Sequence, residues 1–237
     1  MQLFYNQDIN TSSDQISFTK EESRHIVKVL RKNIGDTLKI TDGMGKLFSA
    51  EVTRASDKKC IATIKNWDEK PKTWNYHLHI AIAPTKLNDR YEWFLEKATE
   101  IGIDEITPVL CDHSERRQLK TERMEKVIIS AMKQSLKFNK PVLNSPLKFK
   151  EFIKKNDWDL GLMAHCEDGI KNPLSTHLPF PQKIMILIGP EGDFSIDEIN
   201  QALEQGIKPI TLGESRLRTE TAGIVACNGV SLLNEIL

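Results

Sequence analysis

Two polar stretches carry the residue types best suited to holding a small ligand: Gly189-Pro190-Glu191-Gly192 and Gly213-Glu214-Ser215-Arg216-Leu217-Arg218-Thr219-Glu220-Thr221. Two glycines within four residues permit positive φ and let a ligand approach bare backbone. Glycine-lined turns with exposed main-chain donors and acceptors suit a neutral or zwitterionic adenosyl ligand, whose ring edges pair with backbone. Other chemistries lack their signatures. There is no G-x-G-x-x-G fingerprint, no Walker A loop and no G-x-S-x-G elbow. His77 and His79 share a strand face at a spacing open to metal or to a structural role, but no third ligand accompanies them. Cys60, Cys111, Cys166 and Cys227 are scattered without a C-x-x-C pair, which reads as free thiols rather than a zinc or disulfide framework.

The elements around these stretches set their position. Lys183–Ile188 is a short apolar run of the kind a fully buried parallel strand carries. Ser195 and Glu198 form an S-x-x-E capping box that opens a helix ending near Gly206. Ile210–Leu212 is a second buried strand. Both polar stretches therefore lie at the carboxyl ends of neighbouring strands, where open α/β sheets bind ligands. Trp158–Ala164 is a further strand, running into His165-Cys166-Glu167-Asp168-Gly169; His165 alone reads as a structural residue or a ligand contact. Asn172–Lys183, with three prolines, is a loop. Upstream, Tyr76–Ala83 and Glu105–Leu110 are strands joined by an amphipathic helix over Asp89–Ile101 that Gly102 caps, a right-handed parallel crossover.

The first seventy residues differ. A capping box at Thr19–Glu22 opens a short helix with Ile26, Val27 and Leu30 on one face. Strands over Thr37–Thr41, Leu47–Thr53 and Cys60–Lys65, with a hairpin at Asp42–Gly45, predict a small β-barrel. Asn66–Trp74 is the expected linker, so the domains are 1–72 and 73–237.

Charge is uneven although the net charge is zero. Residues 115–155 hold twelve Lys or Arg against four Glu, an excess of eight. A helix over Thr121–Leu136 turns Met124, Val127, Ile128, Ala131 and Ser135 inward and carries Arg123, Lys126 and Lys133 outside. Arg116, Arg117 and Lys120 precede it; Lys137 and Lys140 follow. This is either a solvated face or a nucleic-acid footprint. Arg24, Arg31 and Lys32 present the same pair of readings, solvated helix face or phosphate contact. At 28% charged and 39% hydrophobic the chain reads as globular. It has no secretory n- and h-regions and no run near the roughly 20 apolar residues of a membrane span, so a cytoplasmic location is expected.

Ile188–Gly192 (IGPEG) followed by Leu212–Ala222 (LGESRLRTETA) resembles the cofactor loops of the SPOUT, trefoil-knotted, RNA methyltransferases. Within them the chain is most similar to the RsmE family of bacterial small-subunit (16S) ribosomal RNA uridine-N3 methyltransferases. The segments EKATEIGIDEITPV and HIVKVLRKNIGDTLKITDGMGKLFSAEV carry the same resemblance, the latter to an N-terminal PUA-like RNA-binding domain. The resemblance implies an α/β knotted parallel-sheet domain behind a PUA-like β-barrel. It implies S-adenosylmethionine as cofactor, held by Met163, Ala164, His165, Gly189, Pro190, Glu191, Gly192, Leu212, Gly213, Ser215, Leu217, Arg218 and Thr219. It implies a partner in 16S ribosomal RNA or the small subunit, contacted by Arg24, Arg31, Lys32, Arg116, Arg117, Lys120 and Lys137, and a homodimer with the active site near the interface.

The implied reaction moves a methyl group to N3 of a uridine flipped out of its helix. A neutral imide nitrogen is a poor nucleophile and must lose its proton. Arg218 is the candidate cation for orienting or stabilising the base, and Glu191 either a base or a brace of its own loop. Thr219 and Thr221 are expected caps of a last helix over Ala222–Leu237, whose Ile224, Val225, Val230 and Leu233 either meet a second subunit or stay within one.

Two positions depart from the family pattern. Gln134-Ser135-Leu136-Lys137 has lysine, or nothing, for an arginine whose fork lysine cannot reproduce. Asp193 stands where GPEGG has a second small residue; Asp tolerates positive φ better than most side chains. Rival readings are 2′-O-ribose or guanosine methylation of transfer RNA on the same fold, and a non-catalytic RNA-binding ribosome assembly factor.

Overall fold

The computed structural model describes residues 1–236. The chain divides into two compact units. The first is Met1–Thr73 with Met132–Lys140; the second is Trp74–Ala131 with the chain from Pro141 onward.

In the first unit β1 (Leu3–Tyr5), β2 (Gln15–Ser17), β3 (Thr37–Thr41), β4 (Lys46–Arg54) and β5 (Ile61–Glu69) form a sheet in the order β1-β3-β4-β5-β2. Only β1–β3 is parallel. Phe4, Ile16, Ile26, Leu38, Ile40, Phe48 and Val52 fill its core. The helix α1 (Lys20–Arg24) is capped by Thr19, whose hydroxyl accepts from Glu22 N–H at 3.2 Å, and it runs into a π-helical turn, His25–Val29. The Asp42–Gly45 hairpin forms as expected, with Asp42 Oδ1 accepting from Met44 and Lys46 N–H.

Three expectations change here. The third strand does not end at Lys65: β5 continues to Glu69 opposite Lys46, so the first four of the nine residues of the expected linker are strand. Lys46 lies over the Trp67 ring at 5.9 Å, one reason that extension holds. The two three-residue strands β1 and β2 had no sequence signal. Residues 137–140 fold onto the hairpin, with Gly45 N–H donating to Phe138 O at 2.9 Å and Lys140 N–H to Gly43 O at 2.8 Å. The preceding helix therefore stops short of Leu136, which takes φ 55°.

In the second unit come β6 (His77–Ile82), α2 (Asn88–Ile101), β7 (Glu105–Leu110), α3 (Thr121–Gln134, its last three residues belonging to the first unit), β8 (Val142–Leu143), β9 (Leu147–Lys148), α4 (Phe149–Phe152), β10 (Leu160–Ala164), β11 (Asn172–Pro173), β12 (Lys183–Ile188), α5 (Ile196–Glu204), β13 (Lys208–Thr211) and α6 (Thr219–Glu235). The strands form one parallel sheet in the order β11-β13-β10-β12-β6-β7-β8, with β9 also on β7. Both faces of the central strands are covered, which is why they read as unbroken apolar runs. Leu78, Ile80, Ile82, Ile184, Ile186 and Ile188 face α2 and α6. Ala81, Met185 and Leu187 face α4 and α5 through Phe149, Phe152, Phe194 and Ile199. At Gly223 a Cβ would come within 2.7 Å of the Phe94 ring, so glycine is what lets α6 lie against α2.

The proline-containing loop holds β11 and a 3-10 turn, Leu174–His177. α6 begins at Thr219, three residues before the expected start, and the last predicted residue of that helix, Leu237, lies outside the described residues. His79 takes the structural role: it is buried, its ring nitrogen 2.8 Å from the Thr107 hydroxyl. Among the described residues no helix is long and apolar enough to cross a membrane.

Candidate active site

Register decides where the polar loops emerge. Ala164 of β10 stands opposite Ile188 of β12 on one side and Ile210 of β13 on the other. The loops following these three strands therefore leave the sheet at one level. β12 lies between β6 and β10, although the chain reaches it only after both, so chain order is broken here; such a crevice is the usual ligand site of an open parallel sheet. The loops enclose a hollow of about 840 Å³, within the range of small-ligand sites.

Twelve of the thirteen cofactor residues expected from the sequence line this hollow. The exception is Met163, which is buried in the core on the α4–α5 side. Cys166, Glu167, Asp168, Lys171, Asp193, Glu214 and Arg216 line it as well.

Side chains tie the loops together. Asp193 has φ 62°, the left-handed conformation its identity tolerates; its Oδ2 accepts from Cys166 N–H at 2.6 Å and its Oδ1 from Phe194 N–H at 2.8 Å. Thr219 does not cap α6. The N-cap is Arg218, without a side-chain capping bond, while the Thr219 hydroxyl donates to Gly189 O at 3.0 Å and joins the third loop to the second. Lys171 Nζ donates to the carbonyls of His165 and Glu167. The capping box of α5 forms in full, and its Glu198 also accepts from Asp112 N–H at 3.0 Å. Burial raises the pKa of Glu198.

Glu191 braces: its Oε1 accepts from Lys86 N–H at 2.9 Å. Its Oε2 is buried with no protein partner, as is His165 Nδ1. Buried polar atoms are rarely left unpaired, so two unpaired atoms in one hollow point to a ligand. Burial first, and Lys171 next, lower the pKa of His165, which keeps the imidazole neutral. Gly192 lines the hollow with backbone, but a Cβ there would meet His113 Cβ at 3.1 Å, not the hollow. The His113 Nδ1 lies 3.0 Å from Gly192 O and 3.2 Å from Asp193 O, so it carries the proton.

The expected RNA-contacting residues fall on both units: Arg24, Arg31, Lys32 and Lys137 on the first, Arg116, Arg117 and Lys120 on the second. Arg116 is already engaged. Its Nε and guanidinium amine donate to the carbonyls of Thr85 and Lys86 at 2.6–3.1 Å, the same turn whose amide holds Glu191. Sequence reasoning missed His113 and the Arg116 clamp, because both act across 30 or more residues.

The RNA methyltransferase domain family matches residues 72–231, and the RNA methyltransferase PUA domain matches residues 18–65. A ribosomal RNA small subunit methyltransferase E from Rickettsia conorii is 30% identical over 226 residues, covering 93% of this chain and 91% of that protein. The chain belongs to the small-subunit methyltransferase E family. A structure from Porphyromonas gingivalis, described as an rRNA methyltransferase, superposes with a TM-score of 0.91 at 42% identity, over 100% of this chain and 99% of that one. A methyltransferase structure from Legionella pneumophila, in complex with bound SAM, gives 0.87 at 27% identity, over 99% and 97%.

The hollow of this methyltransferase E family member fits such a cofactor by charge. Five carboxylates (Glu167, Asp168, Glu191, Asp193, Glu214) line it against three cations (Lys171, Arg216, Arg218). That excess favours a ligand carrying a sulfonium. Gly213, at φ 127° with open space where a Cβ would stand, leaves main chain bare at the rim.

Proposed function

We propose that this chain is an S-adenosylmethionine-dependent methyltransferase acting on N3 of a uridine in small-subunit ribosomal RNA. The observation carrying the reading is the common level of the three loops around one acidic hollow with two unpaired buried polar atoms. Main chain of the loops after β12 and β13, with Ala164 and His165, would hold the cofactor. When bound, it supplies an electrophilic methyl group on a sulfonium. Glu191 keeps its loop in place through Lys86 and is a brace rather than a base. Arg218, exposed and without a partner among the described residues, supplies the positive charge that stabilises an imide anion.

The unit built on residues 1–72 recruits RNA, and residues 73–237 carry the reaction. Arg24, Arg31, Lys32, Arg117, Lys120 and Lys137 contact phosphate. In this reading the chain around β12 and α6 is knotted; the support is α6 packed on α2 and β6 with its first residue bonded to Gly189. The working form is a homodimer. Leu232 on the exposed side of α6 and Ile236 just past its end are large exposed apolar groups that a second copy would cover. A substrate in the ribosome places the protein in the cytoplasm.

Titration calorimetry with S-adenosylmethionine tests the reading. Micromolar binding with one site per chain is expected. Absence of heat at millimolar ligand would remove the catalytic function and leave an RNA-binding assembly factor.

A further inference from the structure

A second hollow, of about 680 Å³, lies against the first: Arg216, Leu217 and Arg218 line both. Its other walls come from the first turn of α6 and the start of α2. Its charge is the reverse of the cofactor hollow. Arg90, Arg216 and Arg218 line it against Asp89 and Glu220, which suits a ligand carrying phosphate. Arg216 and Arg218 are exposed, whereas Glu220 is only 5% exposed. Glu220 Oε1 lies 3.7 Å from Arg90 Nε, beyond hydrogen-bond reach, and Oε2 is buried with no hydrogen-bond partner. A carboxylate oxygen shut away from water and left unpaired is destabilising unless a donor arrives. Trp93, 45% exposed, adds an indole face on which a base can stack. Exposed cations, a stacking ring and two carboxylate acceptors match a nucleotide whose base edge carries two adjacent donors. Guanine has them, at N1–H and at the N2 amino group.

We propose that this second hollow takes a guanosine adjoining the target uridine in the RNA strand, with Glu220 accepting from guanine N1–H and N2–H and Trp93 stacking on the ring. The proposal rests on the methyltransferase reading above and adds the residue that reads the sequence beside the target. The shared wall sets the two hollows side by side, the relation of successive nucleotides on one strand. The target base itself goes to the cofactor hollow. Its N3 touches nothing in the second hollow, so the direction from which the methyl group arrives stays open. Other bases suit Glu220 less well at their pairing edges. Adenine and cytosine each turn a bare ring-nitrogen lone pair toward the carboxylate beside a single amino donor. Uracil offers one N–H flanked by two carbonyl oxygens that the carboxylate repels. Selection of this kind is strong because the wrong base leaves a buried charged acceptor unpaired.

The test is equilibrium binding of short RNA oligonucleotides that carry one uridine and a variable base immediately 5′ or 3′ of it, read by anisotropy with S-adenosylhomocysteine present. On one of the two sides, guanosine should bind about tenfold more tightly than inosine, which keeps N1–H and lacks the N2 amino group, and adenosine should bind more weakly still. Glu220→Gln keeps the shape and turns one acceptor into a donor. That pair matches adenine N1 and N6–H, so the preference should pass from guanosine to adenosine. Trp93→Ala should weaken every oligonucleotide severalfold and leave their order unchanged.

S-adenosylhomocysteine affinity, read in parallel by calorimetry, should be the same in wild type and Glu220→Gln. If wild type binds that ligand but ranks guanosine, inosine and adenosine alike, or binds none of the oligonucleotides, the proposal is overturned and the methyltransferase reading stands. The wild-type series decides this even where the variant fails to fold. If Glu220→Gln binds the ligand normally and keeps the guanosine preference, Glu220 does not read the base and the proposal is overturned. If wild type does not bind the ligand, the methyltransferase reading falls first and the proposal with it. If Glu220→Gln alters only the sedimentation of the protein, the hollow is a subunit contact and the base-reading role is overturned.

Discussion

Asp193 Oδ2 accepts the Cys166 amide hydrogen at 2.6 Å, so one side chain joins the loop after β10 to the loop after β12. The same residue sits at φ 62°. Both demands fall on a position where a second glycine would satisfy only the conformation. Asp193→Gly should therefore keep the turn and lose the tie, weakening S-adenosylmethionine about tenfold with a small change in melting temperature. Asp193→Ala loses both and should also lower stability by about 1–2 kcal/mol. Calorimetry and thermal unfolding on the two variants separate the contributions.

Gly192 faces His113 rather than ligand. Gly192→Ala brings a Cβ to 3.1 Å from His113 Cβ and disturbs the bonds from that ring to Gly192 O and Asp193 O. We expect a severalfold loss of cofactor affinity. In a His113→Gly background the space is free, so adding Gly192→Ala should then change little. A double-mutant cycle in cofactor affinity reads the coupling; independent effects would contradict the contact.

Thr219 is placed to be sensitive. Thr219→Val keeps volume, removes the donor and leaves the Gly189 carbonyl unpaired in a buried site. Loss of about 1–3 kcal/mol is expected in chemical denaturation, with weaker cofactor binding. Thr219→Ser should retain most of both.

How much of this was legible depends on range. The run Lys183–Ile188 announced a buried strand because both its faces meet apolar side chains. The Ser195–Glu198 box formed as written, since a capping box is complete within four residues. Asp193 declared its own backbone angle. By contrast β1 and β2 are too short to show any period, and β5 ran past Lys65 because its partner β4 was long enough to hold it. Thr219 was taken for a cap because a hydroxyl at a helix start usually is one; its carbonyl partner lies 30 residues away. Arg116 read as free charge because nothing local names the Thr85 and Lys86 carbonyls that occupy it. Local geometry was readable; long-range partnership was not.

The two arginines of the 115–120 stretch should therefore behave differently. Arg117→Glu with Lys120→Glu, both exposed, should weaken RNA binding and flatten its salt dependence while leaving cofactor affinity intact. Arg116→Lys loses the forked grip on the turn that holds Glu191 and should weaken the cofactor instead. Filter binding across a salt series, with calorimetry beside it, distinguishes them.

His79 predicts an acid-sensitive fold. Burial, opposed by Glu105, lowers its pKa to about 4. The native state then binds fewer protons than the unfolded chain between about pH 6.5 and 4. Stability should fall as pH drops through that window, by roughly 3 kcal/mol in all. Glu105, held at about 2 chiefly by the His77 hydrogen bond, acts in a lower window, from pH 4.5 downward. His79→Gln should flatten the upper window only, as read by urea unfolding at several pH values.

The most direct measurement is nucleoside mass spectrometry of 16S ribosomal RNA from small subunits lacking this protein, incubated with the purified chain and isotope-labelled S-adenosylmethionine. One labelled 3-methyluridine per subunit is predicted, absent with Arg218→Ala. A label on ribose, on guanosine or on transfer RNA, or no label despite cofactor binding, would contradict the assignment.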